Sequence, residues 1–161
     1  MEVKSWSSSQ SDQYPLLIGK LLANISTLEF ALRTVLYQQT VPKEKQSAVS
    51  TRFTNLREGD EVDGSPLTSW DSFGKLEAKY NCLNPKNKVP AGIKDVRDAF
   101  AHGRILTDDP SKPLKLVRFA QPDEQGKVRV EMAETLTVEW LGQQIKLVHN
   151  AVLAVHLRLN E

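Results

Sequence analysis

Residues 93–105 read IKDVRDAFAHGRI. Ile93, Val96, Ala99 and Phe100 recur three and four apart, the spacing of one helical face, and the stretch predicts a helix over roughly residues 90–104. At about 100° per residue, Ile93, Val96, Phe100 and Gly103 form one apolar arc, with Ala99 at its margin. Asp95, Arg97, Asp98, Ala101 and His102 fall on the opposite arc. Arg97 and His102 stand toward its two edges, about 140° apart. One helix therefore does not bring them into contact; they flank a shallow polar strip.

Upstream of this helix, NPKNKVPAG (84–92) is a turn-rich link. Before it, LTSWDSFGKLEAKYNCL (67–83) predicts a second helix, capped by Ser69 or Ser72 and stopped at Asn84–Pro85. Residues 40–66 are polar, with acidic Glu58, Asp60, Glu61 and Asp63, and suit a long loop with a short helix near 43–57. The first helix is YPLLIGKLLANISTLEFALRTVLYQQ (14–39). Pro15 suits its first turn, and Ile18, Leu21, Leu22, Ile25, Leu28, Leu32 and Val35 make an apolar stripe about seven turns long.

Downstream, TDDPSKP (107–113) breaks the helix. LKLVRFA and KVRVEMA alternate apolar and polar residues around the turn QPDEQG, which predicts a β-hairpin. The last segment, TVEWLGQQIKLVHNAVLAVHLRLN, carries Leu141, Ile145, Val148, Val152, Val155 and Leu159 as a seam for packing along another long helix. The expected fold class is mainly α: an antiparallel helical bundle with a small β-hairpin before the last helix. It forms a single domain over residues 14–161, behind a loose polar tail at 1–13.

The 161 residues suffice for one core without metal or disulfide staples. A net charge of +1 excludes a polycation that coats nucleic acid or anionic membrane, so any nucleic-acid contact is local. Cys82 is the single cysteine; it forms no internal disulfide and matches a reducing compartment. The N-terminus lacks the apolar stretch of a signal peptide. No purely apolar run exceeds five residues, so no segment is expected to span a membrane, and the expected location is cytoplasmic.

The polar strip has the groups for RNA phosphodiester cleavage. Histidine gives or takes a proton near neutral pH, as His102 would at the 2′-hydroxyl or the leaving 5′-oxygen. A guanidinium such as Arg97 stabilises the charge gathered on phosphorus through forked hydrogen bonds. Asp98, one turn before His102, suits either orienting the imidazole or holding Arg97. Gly103 leaves room for a partner helix or a backbone phosphate. No metal is required. Between residues 75 and 104, seven basic residues face three acidic ones, a local basic approach. Lys94 and Arg104 are its candidate substrate-binding residues. The same residues also suit a solvated charge cluster, each exposed pair worth under about 1 kcal/mol, with the histidine answering the helix dipole.

VRDAFAHGRI resembles the signature of the HEPN superfamily (higher eukaryotes and prokaryotes nucleotide-binding domains): an arginine, a polar residue, a short filler, then histidine and often glycine. Arg97, Asp98, Ala99-Phe100-Ala101, His102 and Gly103 match it, with Asp98 where the family often has asparagine. The resemblance implies a helical domain that dimerises with its motif helices facing one another. It also implies a metal-independent endoribonuclease of toxin–antitoxin, phage-defence or RNA-processing type, without a cofactor. A nucleotidyltransferase-like antitoxin is an implied partner. Other members are non-catalytic modules that bind nucleotides or proteins, and that alternative stays open.

The remaining signals are weaker. His149 and His156 are two turns apart rather than the single turn that chelates a metal, so no metal site is expected. Glu29 and Arg33 form an i,i+4 pair, either a surface ion pair or a supporting acid for the site. Trp70 and Trp140 are expected as core or interface anchors, with stacking of RNA bases as the lesser alternative. Gly19–Lys20 lacks the spacing of a P-loop.

Overall fold

Pro15 presets the backbone angle of a first turn, where its missing N–H has no partner to lose, and α1 runs Gln13–Thr40. The computed structural model describes residues 13–46, 55–62, 64–107 and 112–159. Of the tail expected at 1–13, only Gln13 lies among them, and it is already helical. After α1 come a 3-10 turn at Lys43–Lys45, α2 (Phe73–Leu83), α3 (Ile93–His102), β1 (Arg104–Leu106), β2 (Leu114–Phe119), β3 (Val130–Leu136) and α4 (Val138–Arg158). The chain is mainly α, with one small antiparallel sheet. The short helix expected near 43–57 reduces to the 3-10 turn among the described residues; 47–54, like Asp63, lie outside them.

The expected hairpin is β2–β3, in register from Leu114↔Leu136 to Arg118↔Met132, with an irregularity that sets Phe119 opposite Val130. Its turn closes through Gly126, at φ 76°. The Asp123 carboxylate accepts the N–H groups of Gln125 (2.9 Å) and Lys127 (2.8 Å). The sheet has a third strand that corrects the predicted boundary: Arg104–Leu106, expected as a helix end, pair antiparallel with Lys115–Val117.

The chain divides into two units. The first holds the start of α1 up to Ile25, then residues 91–148. Its core is Leu21, Ile25, Ile93, Val96, Ala99, Leu114, Leu116, Leu136, Leu141 and Val148. The second holds residues 26–90 and the end of the chain from His149. Leu28, Leu32, Val35, Phe73, Leu76, Tyr80, Ala151 and Val155 are buried there.

The predicted stripes of α1 and α4 supply much of both cores, but Leu22, placed on the α1 stripe, is exposed. Against the expectation that no segment spans a membrane, α1 is long and apolar enough to cross one by length and composition. The core helix of a soluble protein meets the same measure. Run length missed it because scattered polar residues interrupt runs without lowering the average hydropathy much.

Candidate active site

α3 leaves Gly92, whose φ of 92° is left-handed, and its first turn closes as Val96 N–H donates to the Gly92 carbonyl (3.1 Å). Asp95 in that turn complements the positive end of the helix dipole. Ile93, Val96 and Ala99 are buried, and the helix packs on β2 of the same unit. Ala99, expected at the margin, is completely buried while Phe100 is half-buried, so the buried arc centres on Val96 and Ala99.

His102 is the last helical residue. Gly103 N–H donates to the Ala99 carbonyl (2.7 Å), and the chain then extends into β1. A Cβ at Gly103 would collide with the Ala99 carbonyl oxygen and stand 2.9 Å from that of Val117. The room offered to a partner helix or a phosphate is therefore occupied by this chain's own backbone. Gly103 is a packing residue at the junction of α3 and the sheet.

The exposed side of α3 gathers three of the five candidate residues. Lys94 Nζ donates to Asp98 Oδ2 (3.0 Å), and Arg97 Nη1 donates to Asp98 Oδ1 (3.3 Å). The hydrogen bond to Asp98, with that carboxylate's charge, holds the Lys94 ammonium above the ordinary lysine range. Asp98 thus engages Arg97 and Lys94, while the His102 side chain is exposed and its imidazole hydrogen-bonds to none of the described residues. Arg104, the fifth candidate, lies on the sheet, its guanidinium carbon 5.6 Å from the centre of the Phe119 ring.

Arg118 was missed as a contributor. From β2 it reaches Asp95 Oδ1 (3.9 Å) and Glu131 Oε2 (3.2 Å), tying the first turn of α3 to the sheet. Its Nε is buried and out of line for a hydrogen bond. The signal was present in LKLVRF: alternation puts Arg118 on the face of buried Leu114 and Leu116, where a cation needs a partner.

Other candidates resolve differently. The expected Glu29–Arg33 ion pair forms, but it is part-buried and Arg33 has further partners. Its Nη1 donates to the carbonyls of Ser69 (2.6 Å) and Pro66 (3.3 Å), and its Nη2 to the Asp71 carbonyl (3.0 Å) and Glu29 (2.9 Å). Trp70, expected in a core or interface, is fully exposed on the loop that Arg33 braces. Cys82 is exposed, as are His149 and His156. Among the described residues, no three His, Cys, Asp or Glu side chains form a metal-ligand cluster. No protein-family model, curated protein or solved structure matches the chain, so the HEPN resemblance stands on the residues of VRDAFAHG alone.

Proposed function

We propose that the chain is a metal-independent endoribonuclease of HEPN type, acting as a homodimer whose two α3 helices face one RNA-binding cleft. The long helices form an antiparallel bundle in this proposal, within one domain over residues 14–161. The observation that carries it is the order along the solvent side of α3: a partly exposed Arg97 tethered to Asp98, then an exposed imidazole at the helix end.

In the dimer, a neutral His102 takes the proton of the 2′-hydroxyl as its oxygen bonds to phosphorus. The protonated His102 of the second copy gives a proton to the 5′-oxygen as its bond to phosphorus breaks. Arg97 stabilises the charge on the non-bridging oxygens. Asp98 acts by holding Arg97, and Lys94 and Arg104 bind the substrate backbone. The products are a 2′,3′-cyclic phosphate and a 5′-hydroxyl. The setting is cytoplasmic, with no membrane partner, in toxin, phage-defence or RNA-processing biology, and a nucleotidyltransferase-like antitoxin is the proposed protein partner.

The test is incubation of a mixed RNA pool in EDTA with wild type and His102→Ala, reading the new ends. Cyclic phosphates should appear with wild type and vanish with the variant. No cleavage by a folded wild-type dimer sinks the enzymatic proposal. One observation favours a second reading, a non-catalytic HEPN-like nucleotide- or protein-binding module: no described residue orients the His102 imidazole.

A further inference from the structure

The sheet has two faces of opposite character. Leu114 and Leu116 are buried, and Arg118 turns to Asp95 of α3, so these alternate residues of β2 define the face toward the helix. Glu131 joins that face through Arg118. Lys115, Val117 and Phe119 define the other face. The register adds Leu106 and Thr135 beside Lys115, Arg104 and Ala133 beside Val117, and Val130 beside Phe119.

This second face is solvent-exposed along its length, with Val117 alone half-buried. Its charges are Arg104 and Lys115, and these register positions include no carboxylate. Phe119 is exposed, and the Arg104 guanidinium lies over its ring. Arg104 is also two residues beyond His102 in the same unit.

From this arrangement we infer that the outer face of the sheet is a platform for single-stranded RNA. A base stacks on the Arg104–Phe119 pair, and Lys115 meets a backbone phosphate. The inference rests on the ribonuclease proposal for its ligand class. The physical case is separate. A guanidinium backed by an aromatic ring keeps its N–H edge available for phosphate while its plane takes a base. An aromatic beside cations, with no acid to repel the backbone, is the combination by which single strands are held without sequence readout. A protein partner would meet the same apolar residues but has no need of an acid-free surface, so charge complementarity favours the polyanion.

The test uses the full chain and a fluorescein-labelled single-stranded oligouridylate of about twelve nucleotides, within the span of such modules. Its riboses are 2′-O-methylated, so the attacking oxygen is blocked and binding is read alone by anisotropy. Phe119→Leu should weaken binding about tenfold, the scale of one lost stacking partner, while Phe119→Trp should restore it. Lys115→Ala should lower the slope of log affinity against log salt by about 0.7, one phosphate contact on a single strand. Far-UV circular dichroism checks that each variant is folded.

Folded variants that bind as wild type does, or a wild type that does not bind the oligonucleotide, overturn the platform. So does sedimentation in which Lys115→Glu or Phe119→Leu dissociates a dimer without changing RNA affinity, which would make the face an interface between copies. Cleavage of unmodified RNA in EDTA, run in parallel, separates the two proposals. His102-dependent cleavage with unaltered binding by the sheet variants removes the platform alone. Platform-dependent binding without cleavage removes the ribonuclease alone.

Discussion

The two units place their polar side chains differently. In the second unit they hold the chain together. Arg33, 13% exposed, is taken up by three backbone carbonyls, Ser69 and Glu29. Gln39 and Asn84 exchange two amide hydrogen bonds of 3.1 Å, and Asn81 accepts the N–H of Val89. In the first unit, Lys94, His102, Arg104 and Lys115 are exposed and Arg97 is 26% exposed, with Arg118 as the internal brace. An arginine surrounded by carbonyl oxygens is a structural tie. One anchored by a neighbouring carboxylate at the solvent boundary is placed to meet an anion.

The contrast predicts opposite phenotypes for two arginines that look equally paired in sequence. Arg97→Ala should lower RNA cleavage about 10²–10³-fold, the usual cost of a lost charge-stabilising donor, with a denaturation midpoint close to wild type. Arg33→Ala should leave cleavage per folded molecule unchanged and lower stability by about 2–4 kcal/mol, since it strips several carbonyls of a charged donor. Urea denaturation and single-turnover cleavage on the same preparations check both. A stable, inactive Arg33→Ala beside an unfolded Arg97→Ala would invert the assignment.

The next effect is smaller and tests whether the motif glycine serves packing. Gly103→Ala forces a methyl group against two backbone carbonyl oxygens and should lower stability by about 1–3 kcal/mol. Gly19→Ala in α1, where a Cβ meets nothing within 4 Å, should raise it by about 0.5–1 kcal/mol through helix propensity. Equal and small effects at both sites would mean that the α3–sheet junction yields readily, and Gly103 would again be open to a ligand-facing role.

These positions also mark how far the sequence could be read. Periodicity located the long helices because their buried residues recur at helical spacing. Asn84 ends α2 as expected, whereas the helix starts only at Phe73 and Ser72 before it makes no side-chain capping hydrogen bond. Periodicity ran past the end of α3, because what carries the chain into extended backbone after His102 is pairing with β2, distant in the chain. The third strand was missed for the same reason: three residues carry too little pattern to announce themselves, and Arg104–Leu106 are extended because β2 pairs with them. At the site, one-dimensional spacing placed Arg97, Asp98 and His102 on one side of a helix. It could not decide which group Asp98 engages, since Lys94, Arg97 and His102 all lie within one turn. The Glu29–Arg33 pair was legible from its spacing, but the other partners of Arg33 were not, because they are backbone carbonyls more than thirty residues away.

Tyr80 is the exception within the second unit and the finest test of the contrast. Its ring is completely buried, but its hydroxyl has no hydrogen-bond partner among the described residues. Burial pushes its ionisation above the ordinary tyrosine range, with Arg158 opposing. Removing an unsatisfied buried hydroxyl relieves a desolvation cost, so Tyr80→Phe should be neutral or up to about 1 kcal/mol more stable. It should shift the urea midpoint without changing the slope. The pH dependence has a definite sign. A folded pKa above the unfolded one means that the unfolded chain loses the Tyr80 proton first. Wild type therefore loses stability relative to Tyr80→Phe as pH rises above about 10, the unfolded tyrosine value. A variant less stable than wild type at neutral pH, with no divergence in alkali, would mean that the hydroxyl is bonded in solution, and the second unit would then have no exception.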